Sequence, residues 1–148
     1  MIRTMIDADA AAVAALIRTA FAAIATPLAP PPGALAETAV SVRAYDGGAV
    51  WDAGGLQGCL LWRVQEGGLY AGRLAVHPDA RRRGIARALL AAAEAEARRR
   101  TLPRLLAGVR LALPDNRRLF AQAGFVETAL QTHAGFGAPT SVDMVKTL

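Results

Sequence analysis

Between Leu56 and Glu66 the chain alternates with period two. Leu56, Gly58, Leu60, Trp62 and Val64 fall on one face, and Gln57, Cys59, Leu61, Arg63 and Gln65 on the other. That repeat predicts a β-strand. Gly54-Gly55 before it and Gly67-Gly68 after it read as hairpin turns, leading to strands at Ala49–Ala53 and Leu69–Val76. Three strands joined this way form an antiparallel meander. Upstream, Met1–Ile6 alternates like a short strand, and Asp7 or Asp9 is placed to cap the helix that follows. Val13, Leu16, Ile17, Phe21 and Ile24 make one apolar helix face. Pro27 and Pro30-Pro31-Pro32-Gly33 then impose a stiff loop. A short helix over Ala34–Tyr45 and the turn Asp46-Gly47-Gly48 complete the first third.

Downstream, the spacing predicts a helix over Arg83–Arg100, with Ile85, Leu89, Ala92, Ala93 and Ala97 facing inward. Glu94–Arg98 and Glu96–Arg100 form i,i+4 pairs outside. After Pro103 comes a strand at Leu105–Leu111, parallel to Leu69–Val76 because a long helix joins them. Pro114-Asp115-Asn116 is predicted to cap a short helix carrying Leu119, Phe120 and Ala123, closed by Gly124. Phe125–Gln131 and Ser141–Lys146 form a last antiparallel pair, linked by His133–Thr140. The predicted fold is α/β (α+β, with a mixed, mostly antiparallel sheet flanked by helices). Residues 1–148 form a single domain without repeats or linkers.

Composition narrows the class. At 148 residues and 53% hydrophobic content, the chain is long enough for one core. No apolar run approaches a membrane span, and no leader pattern opens the chain, so a cytoplasmic protein without membrane partners is expected. The single cysteine, Cys59, excludes an internal disulfide and lies in a strand, where a buried structural thiol is expected. The net charge of +5 raises the question of nucleic acid. The arginines, however, gather at one turn and one helix end, without a basic stripe interleaved with aromatics. There is no Cys/His metal spacing and no nucleophile elbow, so neither a metal nor an acyl-enzyme is expected.

That turn carries the chemistry. The apolar run Leu74-Ala75-Val76 ends at Pro78 and passes through Arg81-Arg82-Arg83-Gly84-Ile85-Ala86 into the long helix. A helix N-terminus offers unpartnered N–H groups and partial positive charge, and forked guanidinium groups add donors suited to phosphate. The turn lacks the Gly-Lys-Ser/Thr of a Walker A loop and the three glycines of a dinucleotide fingerprint. It reads as a diphosphate cradle.

Arg-x-x-Gly-x-Ala preceded by Val-x-Pro (Val76-His77-Pro78, then Arg81 to Ala86) closely resembles the acyl-CoA motif of the GCN5-related N-acetyltransferase (GNAT) superfamily. The element order extends that resemblance over nearly the whole chain. The resemblance implies acetyl-CoA as co-substrate and a primary amine, on a small molecule or a peptide, as acceptor. It also implies a bulged central strand splayed from the strand after the long helix. Leu74, Ala75 and Val76 would then face the thioester and pantetheine arm, with Leu74 N–H on the thioester carbonyl. Arg81, Arg82, Arg83, Gly84, Ile85, Ala86 and Arg87 would hold the pyrophosphate, and Asn116, Leu119 and Phe120 would complete the cofactor wall. Asn116 has a competing role as a helix cap.

Phe21–Leu35 would cover an acceptor with apolar bulk. Tyr70 stands where several family members carry a carboxylate or histidine, and Phe120 replaces a tyrosine that often protonates the departing thiolate. Tyr70 and His133 are the catalytic candidates, Tyr70 either ordering water or packing and His133 either acting as base or packing. The resemblance leaves open a homodimer and, as the alternative function, a CoA-binding sensor without turnover.

Overall fold

In the computed structural model, which describes residues 1–148, the meander is β2 (Gly47–Asp52), β3 (Leu56–Gln65) and β4 (Gly68–Val76). The edge strand β1 (Ile2–Thr4) pairs antiparallel with β2. After the long helix α3 (Ile85–Arg99) come β5 (Arg104–Arg110), α4 (Pro114–Gln122), β6 (Val126–Gln131) and β7 (Ser141–Thr147). The sheet order is β1-β2-β3-β4-β5-β7-β6. The last strand therefore lies between β5 and β6, antiparallel to both. Only β4 and β5 run parallel, as the α3 crossover requires.

Burial on both faces of β3 shows why its alternation has no polar side. Leu60 and Trp62 join the core under α3, while Cys59 and Leu61 join the core under α1 (Ala10–Ala22). Gly58 lets α3 sit close, since a Cβ there would lie 2.6 Å from Ile85 Cγ2. From α3, Ile85, Leu89, Ala93 and Ala97 are buried as predicted, and Leu90 joins them. Both predicted i,i+4 pairs form, Glu94–Arg98 at 3.4 Å and Glu96–Arg100 at 2.6 Å. Lys146 pairs with Glu94 and donates to the Ala123 carbonyl at 2.8 Å, tying the end of α4 to α3.

Several boundaries differ from the expected ones for local reasons. Asp9 occupies the cap position of α1, yet its carboxylate accepts from Arg3 at 2.8 Å and from Ile6 N–H at 2.9 Å rather than from the helix. The single helix expected over Ala34–Tyr45 is divided into a 3-10 turn (Gly33–Ala36) and α2 (Ala39–Arg43). Thr38 is extended and caps α2 by accepting from Ser41 N–H, which ends the first turn. α3 starts at Ile85 rather than Arg83, because Gly84 at the cap position is left-handed (φ 76°). Leu113, with Pro114 following, holds the cap position of α4, so Asn116 lies inside the helix and caps nothing.

Cys59 is fully buried, its Sγ 3.7 Å from the Arg73 carbonyl, and burial pushes its thiol up to about 12. Iodoacetamide at mildly alkaline pH is expected to leave Cys59 unmodified in the native protein and to label it fully in denaturant, as read by mass spectrometry. Labelling of the native protein at the denatured rate would contradict this packing.

Candidate functional site

The site follows from how little of β4 and β5 is joined. Their register contains only Leu69 with Leu105 and Tyr70 with Leu106. Beyond those pairs the strands diverge. On its other edge β4 pairs with β3 through Cys59–Ala75 and Leu61–Gly72, three steps on β4 against two on β3. This is a bulge at Arg73–Leu74, with Arg73 left-handed at φ 52°. Freed from ladder pairing, the backbone of this segment faces an open cleft of about 1100 Å³.

The floor and walls of the cleft bring together nearly every predicted site residue. Tyr70, Leu74, Ala75, Val76, Arg81, Arg82, Gly84, Ile85, Ala86, Arg87, Asn116, Leu119, Phe120 and His133 all line it, and Arg83 alone stays outside. At one end, the first intrahelical bond of α3 runs from Ala88 N–H to the Gly84 carbonyl at 3.1 Å. The N–H groups of Ile85, Ala86 and Arg87 are left without an acceptor in the helix. Gly84 has no side-chain cap, and a Cβ built on it meets nothing within 4 Å. Arg82, at φ 65°, is also left-handed. Neither Arg81 nor Arg82 is paired with a carboxylate. Open amides, aligned helix dipole and unneutralised guanidinium groups suit a doubly anionic ligand.

The opposite end is built by α1, the proline loop and the far face of β5. Phe21, Ile24, Leu28 and Pro30 to Pro32 supply apolar walls, and Tyr70, Arg73, Gly108, Arg110, His133 and Ser141 the rest. Burial raises the Tyr70 phenol above its ordinary value, against an opposing effect of Arg73. Its hydroxyl has no protein hydrogen-bond partner. His133 Nδ1 contacts Thr140 Oγ1, which fixes the ring on the β6–β7 connection. Phe120 is 7% exposed and stacks edge-on against Phe125 at 5.2 Å, so only a small part of its ring is open to the cleft.

Three further residues shape this site. Glu37 is 5% exposed in the loop before α2; its carboxylate accepts from Ser41 Oγ at 2.5 Å, Tyr45 OH at 2.9 Å and Arg73 Nε at 2.6 Å. Burial opposes ionisation, but the bonds from Ser41, Arg73 and Tyr45 outweigh it and hold the carboxyl below its usual range. The left-handed arginine of the bulge is thus anchored through its side chain. Arg110, at the end of β5, donates to the Pro30 carbonyl at 2.8 Å. The arginines are therefore not confined to one turn and one helix end. The available signal was a charged residue inside an otherwise apolar strand run, Arg73 within Leu69–Val76 and Arg110 within Leu105–Leu111.

No helix is long and apolar enough to cross a membrane. No group of three or more His, Cys, Asp and Glu side chains is placed to hold a metal ion.

The family model described as an acetyltransferase (GNAT) domain matches residues 39–127. No curated protein gives a significant sequence match. Among solved structures, the ribosomal-protein-alanine N-acetyltransferase of Brucella melitensis is 24% identical with a TM-score of 0.74, covering 100% of this chain and 99% of that one. The ribosomal-protein-S18-alanine N-acetyltransferase of Escherichia coli is 20% identical with a TM-score of 0.76, over 99% and 92% of the two chains. The acetyltransferase-like yncA protein of Salmonella typhimurium, solved with acetyl-CoA, is 23% identical with a TM-score of 0.74, over 99% and 92%. At these identities the likeness is one of fold.

Proposed function

We propose, from the premise that this chain belongs to the acetyltransferase (GNAT) family, that it moves an acetyl group from acetyl-CoA to a primary amine by direct attack. The observation carrying this reading is the joined pair of features in one cleft, namely open amides at the start of α3 and a bulged β4 splayed from β5. A relative solved with acetyl-CoA on the same fold supports the co-substrate. The pyrophosphate would rest on the Ile85, Ala86 and Arg87 amides with Arg81 and Arg82 beside it. The pantetheine arm would lie along Leu74, Ala75 and Val76 as an added strand.

In the reaction the amine nitrogen attacks the thioester carbon, the developing oxyanion takes a hydrogen bond from Leu74 N–H, and the C–S bond breaks. The amine loses one proton and the thiolate gains one. Tyr70, a half-buried phenol whose pKa burial raises, is assigned to orienting amine or water rather than to taking the proton. His133, the imidazole on the cleft wall, is assigned the proton's route out. Phe120 supplies no acid, and a thiol with a pKa near about 8.5 leaves without one.

Phe120→Tyr would add a hydroxyl to a ring that lines the cleft. It is expected to raise kcat while leaving the KM for acetyl-CoA unchanged; an unchanged or lower kcat would mean that thiolate departure does not limit the wild type. The reading as a whole is tested by release of free thiol from acetyl-CoA with a panel of primary amines. Amine-dependent release supports transfer. Thermal stabilisation by acetyl-CoA without release for any amine would leave the non-catalytic CoA-binding module instead.

A further inference from the structure

We infer that Arg110 forms an anion subsite in the acceptor half of the cleft, so that the amine acetylated is one that also bears a free carboxylate beside an apolar side chain. The inference rests on the transferase reading and goes beyond it by assigning the acceptor's class.

Arg110 ends β5 opposite Ser141 of β7. Val109 before it packs into the core under α3, and strand alternation sends Arg110 to the other face, where its Nη1 meets the Pro30 carbonyl at 2.8 Å. This is the face of the sheet opposite the one that α3 covers. Arg110 stands four residues beyond Leu106, just as Leu74 stands four beyond Tyr70, the residue paired with Leu106. Arg110 and the β4 bulge that carries the proposed oxyanion donor therefore both lie beyond the last paired position, on the two splayed strands that bound the cleft.

The guanidinium is half-buried and lacks a counter-charge. No carboxylate lies within ion-pair distance, and its remaining N–H donors have no protein partner. Asp143, the carboxylate of β7 nearest in register, is opposite Gly108 and accepts from Gln131 at 2.8 Å. Arg73, the other cleft arginine on this side, is already matched by Glu37 at 2.6 Å. Burial without any compensating charge pulls the Arg110 pKa below its ordinary value. A desolvated fork with spare donors is satisfied by a planar, singly charged oxyanion such as a carboxylate. Phe21, Ile24 and Leu28 on the same side offer an apolar wall to a neighbouring side chain.

The test compares leucine, methionine and phenylalanine with their carboxamides as acceptors, for the wild-type protein and Arg110→Gln. Comparing the two proteins cancels the different basicity of the acid's and amide's amines. The wild type is expected to favour the acids in kcat/KM, and Arg110→Gln to lose roughly ten- to a hundredfold of that preference with the KM for acetyl-CoA unchanged. If Arg110 only pins the proline loop, acids and amides suffer equally and the inference fails. A rise confined to the KM for acetyl-CoA would assign Arg110 to the cofactor and overturn it too. Should no amine release thiol, calorimetric titration of N-acetyl-leucine and its amide into the CoA-loaded protein decides the matter. Acid preferred by the wild type and not by Arg110→Gln supports the subsite, and equal binding or none overturns it.

Discussion

Gly84→Glu is expected to abolish the thermal stabilisation that acetyl-CoA confers while leaving the chain folded. Two effects separate at this position. Gly84 has φ 76°, so any side chain costs about 1–2 kcal/mol of conformational strain. That cost lowers the melting temperature of the free protein but does not by itself touch the ligand. Nothing lies within 4 Å of the added Cβ, so the new carboxylate projects into the space where the phosphates would approach, beside amides that would otherwise bond them. Loss of two charge-assisted hydrogen bonds would weaken binding by roughly a hundredfold or more, before like-charge repulsion is added. Gly84→Ala carries the strain without the charge and is expected to retain a reduced shift. If the glutamate variant shifted as the wild type does, the nucleotide would have to bind elsewhere.

The second large effect is at Glu37. Removing this carboxylate in Glu37→Ala leaves Ser41 Oγ, Tyr45 OH and Arg73 Nε without their common acceptor, and strands a partly buried guanidinium. Breaking such a pair costs about 3–5 kcal/mol, and Glu37→Gln, which keeps the shape, is expected to cost about 1–3 kcal/mol. Both are measurable by urea unfolding. Because Arg73 is the left-handed residue of the β4 bulge, turnover should fall along with stability.

The pH dependence has a definite sign. The folded carboxyl is held below its usual range, so the unfolded chain takes up the proton first as pH falls. Glu37's stabilisation is therefore complete above the unfolded carboxylate value and disappears as pH drops through the lower folded value. The stability gap between wild type and Glu37→Gln should close across that acidic window. A gap that widened on acidification would contradict the assigned ionisation.

The reach of sequence reasoning differs between the two ends of the cleft. The α3 end depends on a contiguous stretch, Val76 to Arg87, whose turn, glycine and helix start are local and therefore readable. The parallel pairing of β4 with β5 also followed, because a crossover helix admits little else. The acceptor end is assembled from Phe21, Glu37, Tyr70, Arg73, Arg110 and His133, residues far apart in the chain, and no periodicity links them. Insertion of β7 between β5 and β6 is likewise a non-local choice that neither strand's pattern records. Helix ends differ where one residue's backbone decides, as at Thr38 and Gly84; the cap position at Asp9 is legible, but not that its carboxylate turns to Arg3.

The sparse β4–β5 seam has a thermodynamic corollary. Two paired positions leave the sheet's halves coupled chiefly through the α3 crossover and the packing beneath it. A cofactor arm laid along Leu74 to Val76 would supply the absent rungs. Occupancy and global stability would then rise together, so the cell's supply of the thioester would govern how long the chain survives as well as how fast it works.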